Sequence, residues 1–144
     1  MNTKTLDVDQ AVLQYLTDHV SLYAPIRKAG VYENGNTITY IMSPTGGRQR
    51  YLNGRVKRSY SFTIDAKHLS EPIATDTLSQ MMTVMERATG FAISSRNKSF
   101  QFQRAEMIAT PADVANVQDM DDQQTTSDIY SVVRAVFRVD IIIN

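Results

Sequence analysis

Apolar positions along the chain change period several times, and each change marks an element. Val8, Ala11, Val12, Tyr15 and Leu16 recur at helical spacing, which predicts a helix over residues 8–19 with Asp7 as its N-cap. The stretch 21–30, which contains Pro25, reads as a loop, and Glu33-Asn34-Gly35-Asn36 supplies turn chemistry ahead of an alternating strand. In that strand, predicted over 37–43, Ile38, Tyr40 and Met42 alternate with Thr37, Thr39 and Ile41. A second clean alternation covers 58–66, with Tyr60, Phe62 and Ile64 on one face and Ser59, Ser61, Thr63 and Asp65 on the other. Ser70-Glu71-Pro72 then opens a helix that runs to about residue 89, with Gly90 placed to end it. Its buried stripe is Ala74, Leu78, Met81, Met82 and Met85; methionines at this spacing read as core filler before they read as a peptide-binding groove.

A third strand is predicted over 99–109, starting with Phe100 and Phe102. Its phase is lost after Arg104, which predicts a bulge or a change of exposure, and Pro111 is expected to end it. The last strand, 129–143, places Val133, Ala135, Phe137, Val139, Ile141 and Ile143 on one face and Val132, Arg134, Val136, Arg138, Asp140 and Ile142 on the other. Fully extended, it reaches roughly 50 Å. The order α-β-β-α-β-β over a single domain, 1–144, predicts an α+β fold. Its sheet should be four-stranded and mainly antiparallel, with two helices packed on one face and a long projecting β-hairpin arm.

Composition adds bounds. A 42% hydrophobic and 21% charged chain of 144 residues suits one globular core. No cysteine is present, which removes disulfides, thiolate catalysis and thiolate metal sites together. The first residues lack a basic stretch followed by an apolar run, and the longest apolar run, Ile141 to Ile143, is far short of a membrane span. These readings imply a soluble protein made in the cytoplasm, with no membrane partner.

Fifteen basic residues balance fifteen acidic ones, but locally the charge is segregated. Between residues 46 and 58 every charge is positive: Arg48, Arg50, Arg55, Lys57 and Arg58. Between 113 and 128 every charge is negative: Asp113, Asp119, Asp121, Asp122 and Asp128. Two readings of the basic arm compete. With Tyr51 and Tyr60 nearby it could hold phosphates and stack bases, making the chain a small nucleic-acid-binding module. Alternatively its cations meet carboxylates of a neighbouring copy. The zero net charge and the complementary acidic segment favour the second, because dedicated nucleic-acid modules are basic as whole domains.

Catalytic and cofactor chemistry finds little footing. His19 closes the first helix, where it interacts with the C-terminal dipole. His68 lies near Asp65, Lys67 and Glu71, and reads as a turn histidine because no nucleophile sits at a matching motif. No G-x-S-x-G occurs, and Gly46-Gly47-Arg48 lacks the strand–loop–helix context of a phosphate loop, so it reads as a turn or hinge. Asp119, Asp121 and Asp122 lack the spacing of a calcium-binding loop. The expectation is a non-enzymatic protein with no catalytic residue, cofactor or metal.

The middle of the chain resembles a known family. A strand ends in Ser43-Pro44, Gly46-Gly47-Arg48 and Tyr51-Leu52-Asn53-Gly54 follow, then the aromatic strand Tyr60-Ser61-Phe62-Thr63-Ile64, then a helix carrying Met81-Met82-Thr83-Val84-Met85-Glu86. This order resembles the phage minor capsid proteins of the tail-terminator type, found in siphophages and related tailed phages. It spans residues 37–86, with the rest similar by element order. The resemblance implies a virion protein that forms a closed ring, commonly a hexamer, on the end of the tail tube at the head–tail junction. Such a ring stops tube growth and joins tail to head, so its partners are copies of itself, the tail tube protein and the head–tail connector. DNA passes through it without sequence-specific binding. On this reading Arg48, Arg50, Arg55, Lys57, Arg58, Asp119, Asp121 and Asp122 form the subunit interface.

Overall fold

The computed structural model describes residues 6–30, 34–50, 54–89, 92–118 and 128–143, with side chains given for all of these except 46–50. The expected helices form where the apolar stripes placed them. Helix α1 (Val8–His19) buries Val8, Ala11, Val12 and Leu16, and helix α2 (Glu71–Arg87) buries Ala74, Leu78, Met81, Met82 and Met85. The fold is α+β, but its sheet has five strands and is mixed, correcting the four-stranded, mainly antiparallel expectation. They are β1 (Ile26–Lys28), β2 (Thr37–Arg50), β3 (Val56–His68), β4 (Phe100–Val117) and β5 (Tyr130–Ile143), in the spatial order β1-β2-β3-β5-β4.

The extra strand is β1, inside the stretch read as a loop. It pairs parallel with β2 through Ile26–Ile38, Arg27–Thr39 and Lys28–Tyr40, and the Ala29 N–H donates to the Tyr40 carbonyl. Three residues after a proline carry too little pattern to be read as a strand; tertiary pairing alone makes them one. Tyr23 helps to hold this edge. Its hydroxyl lies 2.9 Å from the carbonyls of both Thr37 and Lys67, themselves register partners across β2 and β3, and shares its one proton between them. Burial pushes the Tyr23 phenol above its ordinary pKa.

Two strands also run further than expected. Gly46-Gly47 does not form a turn: β2 continues to Arg50, and its register against β3 shifts between Thr45 and Gln49, so the glycines fall at a bulge. Pro111 does not end β4, which runs on to Val117. As the outer strand β4 can carry a residue without an N–H, because an edge position need not donate. The bulge expected after Arg104 is present as several register shifts between Phe102 and Ala115.

Nor does the basic segment project as a free arm. Val56 and Lys57 pair on one side with Arg50 and Gln49 of β2, and Val56, Lys57 and Arg58 pair on the other with Ile143, Ile142 and Ile141 of β5. Gly54, at φ 86°, takes the left-handed conformation that the connection from β2 to β3 needs.

One core lies between the sheet and the two helices. Tyr40, Phe62, Ile64, Ala135, Phe137 and Val139 face Leu16, Leu78 and Met82 within it. Phe62 and Phe137 stack with centroids 5.1 Å apart at its centre. Among the described residues no helix is long and apolar enough to cross a membrane. Leu78 and Phe137 are sealed from solvent. Leu78→Asp or Phe137→Asp is therefore expected to abolish folding, since an unpaired carboxylate would sit in the core. Leu78→Ala should cost about 2–5 kcal/mol in urea denaturation followed by circular dichroism. Normal folding of both aspartate variants would mean that the buried face is misassigned.

Candidate interaction surface

The helices cover one face of the sheet, and the opposite face carries rows of side chains fixed by the register. Across β3, β5 and β4 one row reads Ser59, Asp140, Arg104; the next reads Ser61, Arg138, Glu106. A further row sets Thr39, Asp65 and Arg134 side by side. The resulting pairs are ionic. Arg104 Nε donates to Asp140 at 3.0 Å, Arg138 Nη2 meets Glu106 at 2.6 Å, and Arg134 forks onto Asp65 through bonds of 2.8 and 3.1 Å. This alternation of sign across neighbouring strands is the favourable cross-strand arrangement.

Asp140 is the centre of the network and is buried. The Ser59 hydroxyl donates to it at 2.5 Å. Arg138 Nε lies 3.3 Å from the same oxygen, Asp140 Oδ1, but makes no aligned hydrogen bond, so that contact is Coulombic. Burial by itself pushes the Asp140 carboxyl up. The Ser59 and Arg104 hydrogen bonds, with the charges of Arg138 and Lys57, outweigh it and hold the group below the ordinary carboxylate range.

A second buried carboxylate, Asp7, was expected to cap α1, and its side chain makes no cap bond. It instead accepts from the Ser95 and Ser99 hydroxyls at 2.6 and 3.1 Å and from the Arg96 N–H at 2.8 Å, tying the start of α1 to the approach to β4. Here too burial raises the carboxyl and the hydrogen bonds, led by Ser95, bring it below its ordinary value.

The histidines are structural. His19 Nδ1 lies 2.8 Å from the Tyr15 carbonyl in the last turn of α1, and the ring stacks on Tyr15. His68 Nδ1 accepts the Ser70 N–H at 2.9 Å, and its ring packs edge-on against Tyr23. Among the described residues no group of three or more His, Asp or Glu is placed to hold a metal ion.

The sequence-predicted interface residues fall as follows. Arg48 and Arg50 lie on β2, their side chains outside the described set; Arg55 directly precedes β3. Lys57 and Arg58 are neighbours on β3 and so point to opposite faces, Lys57 toward the ionic rows beside Ile142 and Arg58 toward the helix side beside Ile141. Asp119, Asp121 and Asp122 lie outside the described residues.

The register nevertheless fixes where the two charged segments enter and leave the sheet. Arg50 pairs with Val56 at the end occupied by Ile143 and Phe100. Val117 pairs with Tyr130 at the other end, beside His68. Thirteen residues of β3 separate the two, a span of about 40 Å. The chain therefore passes from β2 to β3 at one end of the sheet and from β4 to β5 at the other.

The chain matches no family model and no curated protein.

The ionic rows give a test. Asp140→Asn should lower stability by about 1–2 kcal/mol at neutral pH, because it removes the charge that Arg104 and Arg138 face while Arg104 itself stays largely exposed. A carboxylate with a depressed folded-state pKa contributes fully above the ordinary range near pH 4, and the contribution is lost as pH falls through the lower folded value. Urea titrations should thus show the gap between wild type and Asp140→Asn closing as pH falls from 7 toward 3. A gap that is constant over this range would remove Asp140 ionisation from the account.

Proposed function

We propose that this chain is a structural subunit that joins copies of itself head to tail into a closed ring, and that the ring is of the phage tail-terminator type. In that role it caps the tail tube at the head–tail junction and offers its faces to the tube protein and the head connector. The observation that carries the self-association is that the β2–β3 connection, in the basic stretch, and the β4–β5 connection, in the acidic stretch, leave opposite ends of one sheet. Complementary segments about 40 Å apart cannot satisfy each other within a subunit, but they meet when subunits line up end to end. Contacts between unlike patches close into rings where the rotation permits. The phage assignment rests on the element order and the motifs around residues 37–86.

The separation also bears on how subunits lie in such a ring. If basic end meets acidic end, the strands run around the circumference and not along the axis. Six subunits of about 40 Å give a mid-line roughly 80 Å across. The open face argues against the phosphate-binding alternative, since Arg104, Arg134 and Arg138 are each engaged by a carboxylate of the same sheet.

Exposed ion pairs are individually worth about 0–1 kcal/mol, so a single Arg→Ala change in the 46–58 segment should alter little. Reversing Arg48, Arg50 and Arg55 together to Glu should abolish assembly, read by light scattering over a concentration series with and without purified tails. Circular dichroism of the subunit should stay unchanged. Reversing Asp119, Asp121 and Asp122 to Lys in the same chain should restore assembly. A triple-Glu variant that still assembles and still joins tails to heads would leave the segment with no assembly role. Steeply salt-dependent binding of the wild type to short DNA duplexes would favour the nucleic-acid reading instead.

A further inference from the structure

Charge alone makes a weak joint, and the structure holds a second feature at the acidic end. Among the described residues the large apolar side chains left exposed are Ile41, Leu69, Ile73, Ile108, Val114 and Ile129. Ile41 and Ile108 lie mid-sheet. Leu69 directly follows β3, Ile73 is in the first turn of α2 four residues on, and Ile129 directly precedes β5. Because His68 pairs with Ser131, the end of β3 and the start of β5 are adjacent, so these three come to one end of the molecule. Their exposures, 48%, 45% and 55%, leave about half of each apolar side chain open to solvent. Val114 lies on the outer strand of the same end.

We infer that Leu69, Ile73 and Ile129 form an apolar dock for the tip of a second copy's basic segment, with Tyr51 and Leu52 as its anchor. The inference rests on the head-to-tail reading above and adds the contact that gives the joint its strength.

Three observations choose this occupant. Carboxylates stand close to the dock residues along the chain: Glu71 is two residues from Leu69 and from Ile73, and Asp128 is next to Ile129. Asp119, Asp121 and Asp122 belong to the connection that leaves and re-enters the sheet at this end. The segment 46–58 has the converse pattern, an apolar pair, Tyr51-Leu52, flanked by five cations and no acid. Finally, Arg50 and Val56, which flank the anchor in the chain, pair at the end of β3 opposite to Leu69, so the occupant of the dock is taken from a second copy. An aromatic and an aliphatic anchor within a ring of opposite charges is the usual anatomy of a strong protein contact. It predicts that self-association survives about 1 M salt, where charges are screened beyond about 3 Å and apolar burial is not.

The test mixes two full-length variants, each defective on one side of the joint. Tyr51→Ser/Leu52→Ser removes the anchor, and Ile73→Glu/Ile129→Glu spoils the dock; Ile73→Ser/Ile129→Ser serves as a milder dock variant. The dock positions are exposed, so circular dichroism and thermal melting should match wild type. In sedimentation velocity each variant alone should be monomeric, its self-association weakened at least about thirtyfold, the scale of a hot-spot residue. Mixed together they retain one intact anchor and one intact dock, so they should form a one-to-one dimer that does not grow. Dock variants that assemble as wild type does would overturn the dock while leaving charge-driven rings in place. Two monomeric variants that do not pair on mixing would overturn the match of anchor to dock. A wild-type chain that stays monomeric at every concentration and fails to bind tails would overturn the head-to-tail reading together with this one.

Discussion

The pairing of β3 with β5 is the constraint on which the rest of the molecule depends. It runs unbroken from Val56–Ile143 to His68–Ser131, while both flanking ladders, β2–β3 and β4–β5, contain register shifts. A slip of one residue would turn Phe62 and Phe137 out of the core and bring Ser61 and Arg138 into it, so burial enforces the register. That same register sets Asp140 beside Ser59, Asp65 beside Arg134, and the two charged connections at opposite ends. Core, ionic face and proposed joint are three readings of one alignment.

Much of this alignment could be read in the chain, and the exceptions have physical causes. Both helices and the alternating strands were legible because one-sided burial writes its period into the residues, as in Leu78, Met81, Met82 and Met85, or in Tyr60, Phe62 and Ile64. The strand β1 was not, since three residues show no period and are held by a neighbour. Gly46-Gly47 and Pro111 read as breaks because local propensity favours a turn, yet a bulge accommodates the glycines and an edge position the proline. Asp7 looks like a helix cap by spacing, but three donors from residues 95–99 make a better offer than one helical N–H.

The candidate surface divides in the same way. Cations between 48 and 58 are contiguous and visible as a cluster. The pairs Arg104–Asp140, Arg138–Glu106 and Arg134–Asp65 join residues 32 to 69 positions apart and exist only once the register is known. The outward alternation of Arg134, Arg138 and Asp140 along β5 was the available signal for them. Leu69, Ile73 and Ile129 gave none, because a lone surface apolar residue is ordinary and only the meeting of strand ends makes three of them a patch.

The place of β5 also governs how the molecule comes into being. It is made after every other strand of this sheet, yet it lies between β3 and β4. Until it arrives, β2 and β3 can form a hairpin and the helices can flicker, but β4 has no strand to pair with and Phe62 lacks the ring it stacks on. At synthesis rates of about 5–20 residues per second, the interval from the end of β3 to the end of β5 lasts on the order of 4–15 s. Through that time the edge of β3 stands open, joined by that of β4 once residues 100–117 have been made. Such nascent chains are natural clients for chaperones, and the insertion of a late central strand, with its high contact order, would set the pace of folding.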